Sequence, residues 1–166
     1  MTMSQLSAPP VSLLDLYAGE DVLPLYKTSV LVSGGEVGHG RASGRAVSDD
    51  GALDVPLRLP VALGGPGGAT NPEQLFAAGF AACFHGALSL VATKRKIRLD
   101  RDCSVGAEVT FGRDPSDGLI LLSAQIQVHL PNMAQGEALD LVRETEAICP
   151  YAKMSRQGIE HSTRLV

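Results

Sequence analysis

The sequence has no tryptophan, and only four phenylalanines and three tyrosines among 166 residues. So few aromatic faces cannot build a platform on which nucleic-acid bases stack. The net charge of −4 points the same way, because an acidic chain does not attract a polyanion. Nucleic acid is therefore not expected as a main partner. Cysteine is scarce too, at three, an odd number that does not suggest a secreted disulfide framework. The cysteines show no CxxC spacing and no histidine nearby at zinc-ligand spacing, so a structural zinc site is not expected. The N-terminus has no basic segment followed by an apolar core. No signal peptide is expected, and cytoplasm is the expected location. The glycine-rich run 64–68 lacks a following Lys-Ser/Thr, so a phosphate loop is excluded. No internal repeat is visible.

What is present is apolar residue, 45% of the chain, enough for a single domain with a real core. Much of it is concentrated in one stretch, Thr70 to Thr93, which reads as a long helix. Asn71 suits the N-cap and Pro72 the first helical position. Gln74 stands where a capping box would place it, Glu73 puts negative charge in the first turn, and Lys94, Arg95 and Lys96 follow the far end. A helix apolar almost all the way round should be buried on every side. Leu75 to Ala92 is also long enough to cross a bilayer. Its richness in Ala and Gly, with His85 and Ser89 inside it, favours a buried central helix, so no membrane partner is expected.

Residues 1–22 read as an extension, a surface arm that could pack on a partner subunit, with a short amphipathic turn over Val11 to Tyr17. Residues 23–166 read as one domain. Leu25 to Ser33, His39 to Ser48 and Ala52 to Leu59 read as three strands, the last two joined at Asp49-Asp50-Gly51. After the long helix, Cys103 to Arg113 and Leu119 to Leu130 form a hairpin across Asp114 to Gly118. Ala134 to Cys149 reads as a second helix, with Ala138, Leu141, Val142 and Ile148 at helical spacing, ended by Pro150. Gly158 to Val166 is expected to be a last strand. The order is β-β-β-α-β-β-α-β, an α+β fold with largely antiparallel sheets.

Cys83 lies in the middle of the long helix, and Phe76, Phe80 and Ala87 share its face. The plain reading is a small hydrophobe in a core. A reactive thiol there would face an apolar, aromatic-lined site. It lies ~16 Å from the helix start, beyond the reach of that helix's dipole. A cation from elsewhere would have to activate it, and Arg41 and Arg45 are the candidates. His85 falls on roughly the opposite face, so it is not this thiol's base; it reads as a packed or hydrogen-bonded histidine. Cys149, 66 residues downstream, continues the apolar stripe of the second helix and should face inward. A disulfide with Cys83 needs Cα atoms within ~7 Å. Cys103 reads as a bystander.

The run NPEQLFAAGFAACF (Asn71 to Phe84), the later CPY (Cys149 to Tyr151), and SDDGALDV and LGGPGG ahead of the helix closely resemble the organic hydroperoxide resistance (Ohr) proteins of the OsmC/Ohr family. The resemblance covers about Leu25 to Val166. It implies an intertwined homodimer with active sites at the subunit interface. It implies thiol-dependent reduction of organic hydroperoxides, including those of fatty acids, to alcohols. No bound cofactor is implied; dihydrolipoamide or a lipoylated protein would be the reducing co-substrate. By resemblance Cys83 is the peroxidatic cysteine, Cys149 the resolving one, and Glu73 the carboxylate that pairs with the activating arginine. The family's GGRxGR-like turn is altered here to GGEVGHGRASGRA. Arg41 matches the activating arginine if the spacing shifts, with Arg45 as the alternative. Because Glu73 and Cys83 are ~15 Å apart along a straight helix, Glu73 is expected to come from the partner chain. A cysteine hydrolase, with His39 as a remote base, and a non-catalytic redox sensor or lipid-binding module are the rival classes.

Overall fold

The long helix, α1 (Pro72–Lys94), is the spine of the structure. Its start is built as the sequence predicts. The Asn71 side-chain oxygen accepts from the Gln74 N–H at 2.9 Å, and Pro72 occupies the first turn. The capping box is only half made, because Gln74 Oε1 accepts instead from the Thr70 hydroxyl at 3.0 Å. The computed structural model describes residues 13, 15–35 and 43–165.

Ahead of α1, β1 (Val30–Ser33), β2 (Gly44–Ser48) and β3 (Asp54–Leu57) form an antiparallel sheet in the order β1-β2-β3. β1 and β3 are shorter than the sequence predicts, and residues 39–42 of the second expected strand lie outside the described residues. The 25–29 stretch has no regular structure, and Pro56 lies in β3 opposite Arg45. Pro56 offers no N–H to extend a ladder. This sheet joins the rest of the chain where Leu57 bridges Thr70 and the Arg58 N–H donates to the Thr70 carbonyl at 2.9 Å. After α1, β4 (Ser104–Arg113) and β5 (Ile120–His129) form a ten-residue antiparallel hairpin. The turn is closed by Gly118 donating to the Asp114 carbonyl at 2.8 Å, and Gly118 has φ 75°, which glycine adopts without strain. One face of the hairpin carries Val105, Ala107, Ile126 and Val128, and it packs on α1.

α2 (Gln135–Ile148) and α3 (Pro150–Gln157) complete the layer on α1. The core divides along the spine. Phe80, Phe84 and Ala87 meet Cys149 and Ala152; one turn further on, Leu88, Val91 and Ala92 meet Leu141. The buried Thr145 hydroxyl is satisfied by the Leu141 carbonyl at 2.7 Å. The α+β class with antiparallel sheets around a long helix is as expected.

Four expectations need correction. Residues 158–165 are not a strand, and α3 precedes them. Pro150 stops α2, as predicted, but it is also the first residue of α3, where its missing N–H costs nothing. α1 is not buried on every side within one chain: Ala78, Ala82, His85 and Gly86 form an exposed row. His85 is thus exposed rather than packed. By length and composition α1 could cross a bilayer, but here it is the helix on which β4, α2 and α3 pack. Of the N-terminal extension, Leu13 and residues 15–22 are exposed and without strand or helix. Of the turn expected over Val11 to Tyr17, Val11, Ser12 and Leu14 lie outside the described residues.

Candidate active site

Cys83 faces out of α1 toward the junction of α2 and α3. At that junction Cys149 ends one helix and caps the next, with φ −66° and ψ 119°. Its N–H donates to the Thr145 carbonyl and its carbonyl accepts from the Lys153 N–H, both at 2.9 Å. The backbone on both sides of Cys149 is therefore tied down. Its side chain is fully buried and its thiol donates to the Cys83 sulfur at 3.7 Å. Both thiols are free. A disulfide bond is about 2 Å long, so pairing these sulfurs needs small side-chain movements rather than refolding.

The surroundings are apolar and aromatic. Phe76 and Phe80, on the face of Cys83, stand edge to face with centroids 5.9 Å apart. Tyr151 stacks on Phe76 at 6.3 Å and tilts against Phe80 at 5.8 Å. Phe76 and Phe80 also line a groove of about 760 Å³, together with Ile126, Val128, Met154 and Arg156. That volume is in the range of small-molecule sites.

Burial pushes the Cys83 thiol above its ordinary value, the Tyr151 backbone N–H pulls it down, and the neighbouring Cys149 adds to the rise. Within the described part of one chain the thiol is thus disfavoured as a thiolate. A positive charge delivered to it would reverse this.

Of the two candidate cations, Arg41 lies outside the described residues. Arg45 is committed elsewhere: its Nε and a terminal nitrogen grip the Asp54 carboxylate at 2.5 and 2.9 Å across the β2–β3 ladder. That pair is exposed and holds the Asp54 carboxyl below its usual range. Glu73 is half-buried in the first turn of α1, ten residues before Cys83 and about 15 Å from it by helical rise. The structure therefore brings Cys83 and Cys149 together and leaves Glu73 at the other end of a helical segment. Cys103 is half-buried in the second core cluster, where burial and the charge of Asp100 push its thiol up. Among the described residues no group of three or more His, Cys, Asp or Glu is placed to hold a metal ion.

Sequence reasoning missed Tyr151. The signal was present: a cysteine followed by proline is a capping position followed by a first helical residue. Read that way, CPY starts a helix at the thiol pair as well as ending one.

The sequence profile of the OsmC-like protein family matches residues 65–164. An organic hydroperoxide resistance protein of Xanthomonas axonopodis pv. citri is 42% identical over 137 residues, 82% of this chain and 91% of the relative. The crystal structure of an organic hydroperoxide resistance protein from Legionella pneumophila superposes with a TM-score of 0.72 at 40% identity, covering 82% of this chain and 93% of the other. The OhrB protein of Bacillus subtilis gives a TM-score of 0.69 at 37% identity, with 81% and 93% covered.

Proposed function

This chain belongs to the OsmC/Ohr family, within its organic hydroperoxide resistance group, and we propose that it is a thiol-dependent peroxidase that reduces organic hydroperoxides to alcohols. The observation that carries the reading is the pair of free sulfurs 3.7 Å apart at a helix junction, walled by aromatic rings.

The Cys83 thiolate attacks the distal oxygen of the hydroperoxide. An S–O bond forms, the O–O bond breaks, and the alkoxide leaves and takes up a proton as the alcohol. Cys83 is left as a sulfenic acid. The Cys149 thiol attacks that sulfur, water departs, and the disulfide forms before a second peroxide can over-oxidise Cys83. A dithiol, dihydrolipoamide or the lipoyl group of a protein, reopens the bridge by exchange and becomes a disulfide itself. Phe76 and Phe80 favour a peroxide with a hydrocarbon body over hydrogen peroxide.

The thiolate needs a positive charge to offset the burial that raises the Cys83 thiol. Arg41 supplies it in this reading, held by Glu73 through a two-pronged ion pair. Glu73 is about 15 Å from Cys83 by helical rise, so in this reading the Glu73 at each site comes from the partner chain of a homodimer. Two surfaces support such a dimer: the exposed small-residue row on α1, and β1, where Val30, Leu31 and Val32 are 48%, 71% and 55% exposed. Apolar side chains in that number on one short strand call for a cover.

Steady-state turnover of cumene hydroperoxide with dihydrolipoamide tests the reading. Cys83→Ser should abolish turnover, and Cys149→Ser should stall after about one equivalent of peroxide. Turnover that survives Cys83→Ser would end the proposal.

A further inference from the structure

Two residues of α1 one turn apart, Gly79 and Cys83, meet two residues of the α2–α3 junction, Tyr151 and Cys149. A Cβ at Gly79 would stand 3.3 Å from both Cε2 and Oη of Tyr151, tighter than ordinary van der Waals contact. Glycine is a poor residue for a helix interior, so its presence there asks for a reason. The other glycine of α1, Gly86, meets nothing beyond its own helix where a Cβ would stand. At Gly79 the space is taken by a ring that also rests on Phe76 at 6.3 Å and on Phe80 at 5.8 Å. From Tyr151 back to Cys149 the chain is stiff. The ring of Pro150 fixes its φ, and a residue before proline is held in extended backbone, as Cys149 is at φ −66° and ψ 119°. The Cys149 carbonyl is tied into α3 as well, accepting from the Lys153 N–H at 2.9 Å. A lift of the Tyr151 ring is therefore passed on to Cys149 rather than absorbed between them. The margin is small: the two sulfurs must come from 3.7 Å to about 2 Å to bond, so a displacement of a few tenths of an ångström is a sizeable part of the approach.

We propose that Gly79 is a positioning residue for disulfide formation: it receives the Tyr151 ring, seats the first turn of α3 on α1, and so sets Cys149 within bonding reach of Cys83. This role rests on the peroxidase reading for its purpose, while the contact stands on the structure alone. The two sides of the junction are seated by different means. α2 is anchored by Leu141 and Thr145, two turns and one turn before Cys149, both fully buried. In α3 the one buried residue is Ala152, a side chain too short to grip α1 by itself. The longer grip on that side is the Tyr151 ring in the space over Gly79. The glycine and the tyrosine are thus a matched pair, and the Cys149-Pro150-Tyr151 link is the lever between that pair and the sulfurs.

The test is the strength of the Cys83–Cys149 disulfide at equilibrium with reduced and oxidised dithiothreitol, in the full chain and without peroxide. The two thiols give up two electrons and two protons as the S–S bond forms, and the cyclic disulfide of oxidised dithiothreitol takes them up as it opens to the dithiol. Samples are quenched in acid, alkylated, and read by mass spectrometry as the linked Cys83–Cys149 peptides. Misplacing a reacting group by about 1 Å can cost about a hundredfold, so Gly79→Ala should weaken the bridge by about threefold and Gly79→Val by about tenfold. Alanine is the better helix former, so Gly79→Ala should fold. Tyr151→Phe removes Oη, one of the two crowded atoms, while keeping the ring. Added to Gly79→Ala, it should recover part of the loss, measured against Tyr151→Phe alone. A wild-type equilibrium in Gly79→Ala would overturn the proposal, whether or not Gly79→Val folds. So would a loss in Gly79→Ala that Tyr151→Phe leaves untouched, because a general effect of the added methyl does not depend on Oη. Since no peroxide is used, a wild type that pairs these cysteines but fails to turn over peroxide would end the peroxidase reading while leaving this result readable.

Discussion

Phe80→Ala is the substitution that most directly perturbs the wall behind the sulfurs. Phe80 is 4% exposed and lies in the cluster that contains Cys149. Truncating a buried phenylalanine typically costs about 3–5 kcal/mol, as lost transfer energy plus the cavity left behind. Two aromatic contacts go with it, to Phe76 at 5.9 Å and Tyr151 at 5.8 Å, each worth about 0.5–1.5 kcal/mol beyond area. These contacts overlap with the truncation cost, so the expected loss is about 4 kcal/mol. With a urea slope of about 2–3 kcal/mol/M for a chain of this size, the midpoint should fall by about 1.5–2 M. The assay is urea unfolding of the reduced protein at one fixed protomer concentration, since association would add to apparent stability. Phe80→Leu refills part of the volume and should recover more than half of the loss. A midpoint shift below about 0.5 M for Phe80→Ala would refute the packing argument, because it would mean that the ring is not load-sharing in the core around the cysteines.

Removing the cap in Asn71→Ala deletes the bond to Gln74 and should lower stability by about 1 kcal/mol, readable as a drop in melting temperature. Arg41→Gln should raise the Cys83 thiol pKa and slow turnover together, whereas Arg45→Gln should do neither, because Arg45 is held by Asp54. The pH profile of Cys83 alkylation and the turnover rate decide this. Burial raises both Cys83 and Cys103, so the folded chain keeps these protons longer than the unfolded chain does. Their contribution to stability is full below the ordinary thiol value and is lost as pH rises through the raised folded values. Cys103→Ala should flatten the alkaline limb of a stability-against-pH curve. The mirror case is Asp54, lowered chiefly by its hydrogen bond from Arg45; its contribution is present above the ordinary carboxyl value and lost as pH falls through the lowered one.

α1 was legible because its ends carry local chemistry: a capping asparagine, a proline at the first position, and basic residues at the close. The two hairpins were legible for the same reason, in their Asp-Gly turns. The exposed row of α1 was not, because a helix apolar all round has no periodicity to mark which side its own chain leaves open. That side is decided by partners. α3 is less legible because Pro150 marks a stop first, though the same ring that ends α2 suits the start of a new helix. The distance between Cys83 and Cys149 depends on how α1 meets the α2–α3 junction, a tertiary relation that spacing within either helix does not encode. Tyr151 followed the same rule. Its ring packs on Phe76, Phe80 and Gly79 of α1, all far away in the chain.

The most direct measurement is peptide mapping by mass spectrometry after adding one equivalent of cumene hydroperoxide to the reduced protein. The account predicts a peptide pair joined through Cys83 and Cys149, Cys103 unmodified, and, in Cys149→Ser, a sulfenic acid trapped by dimedone at Cys83. A Cys83 left as free thiol while peroxide is consumed, or a bridge formed through Cys103, would contradict it.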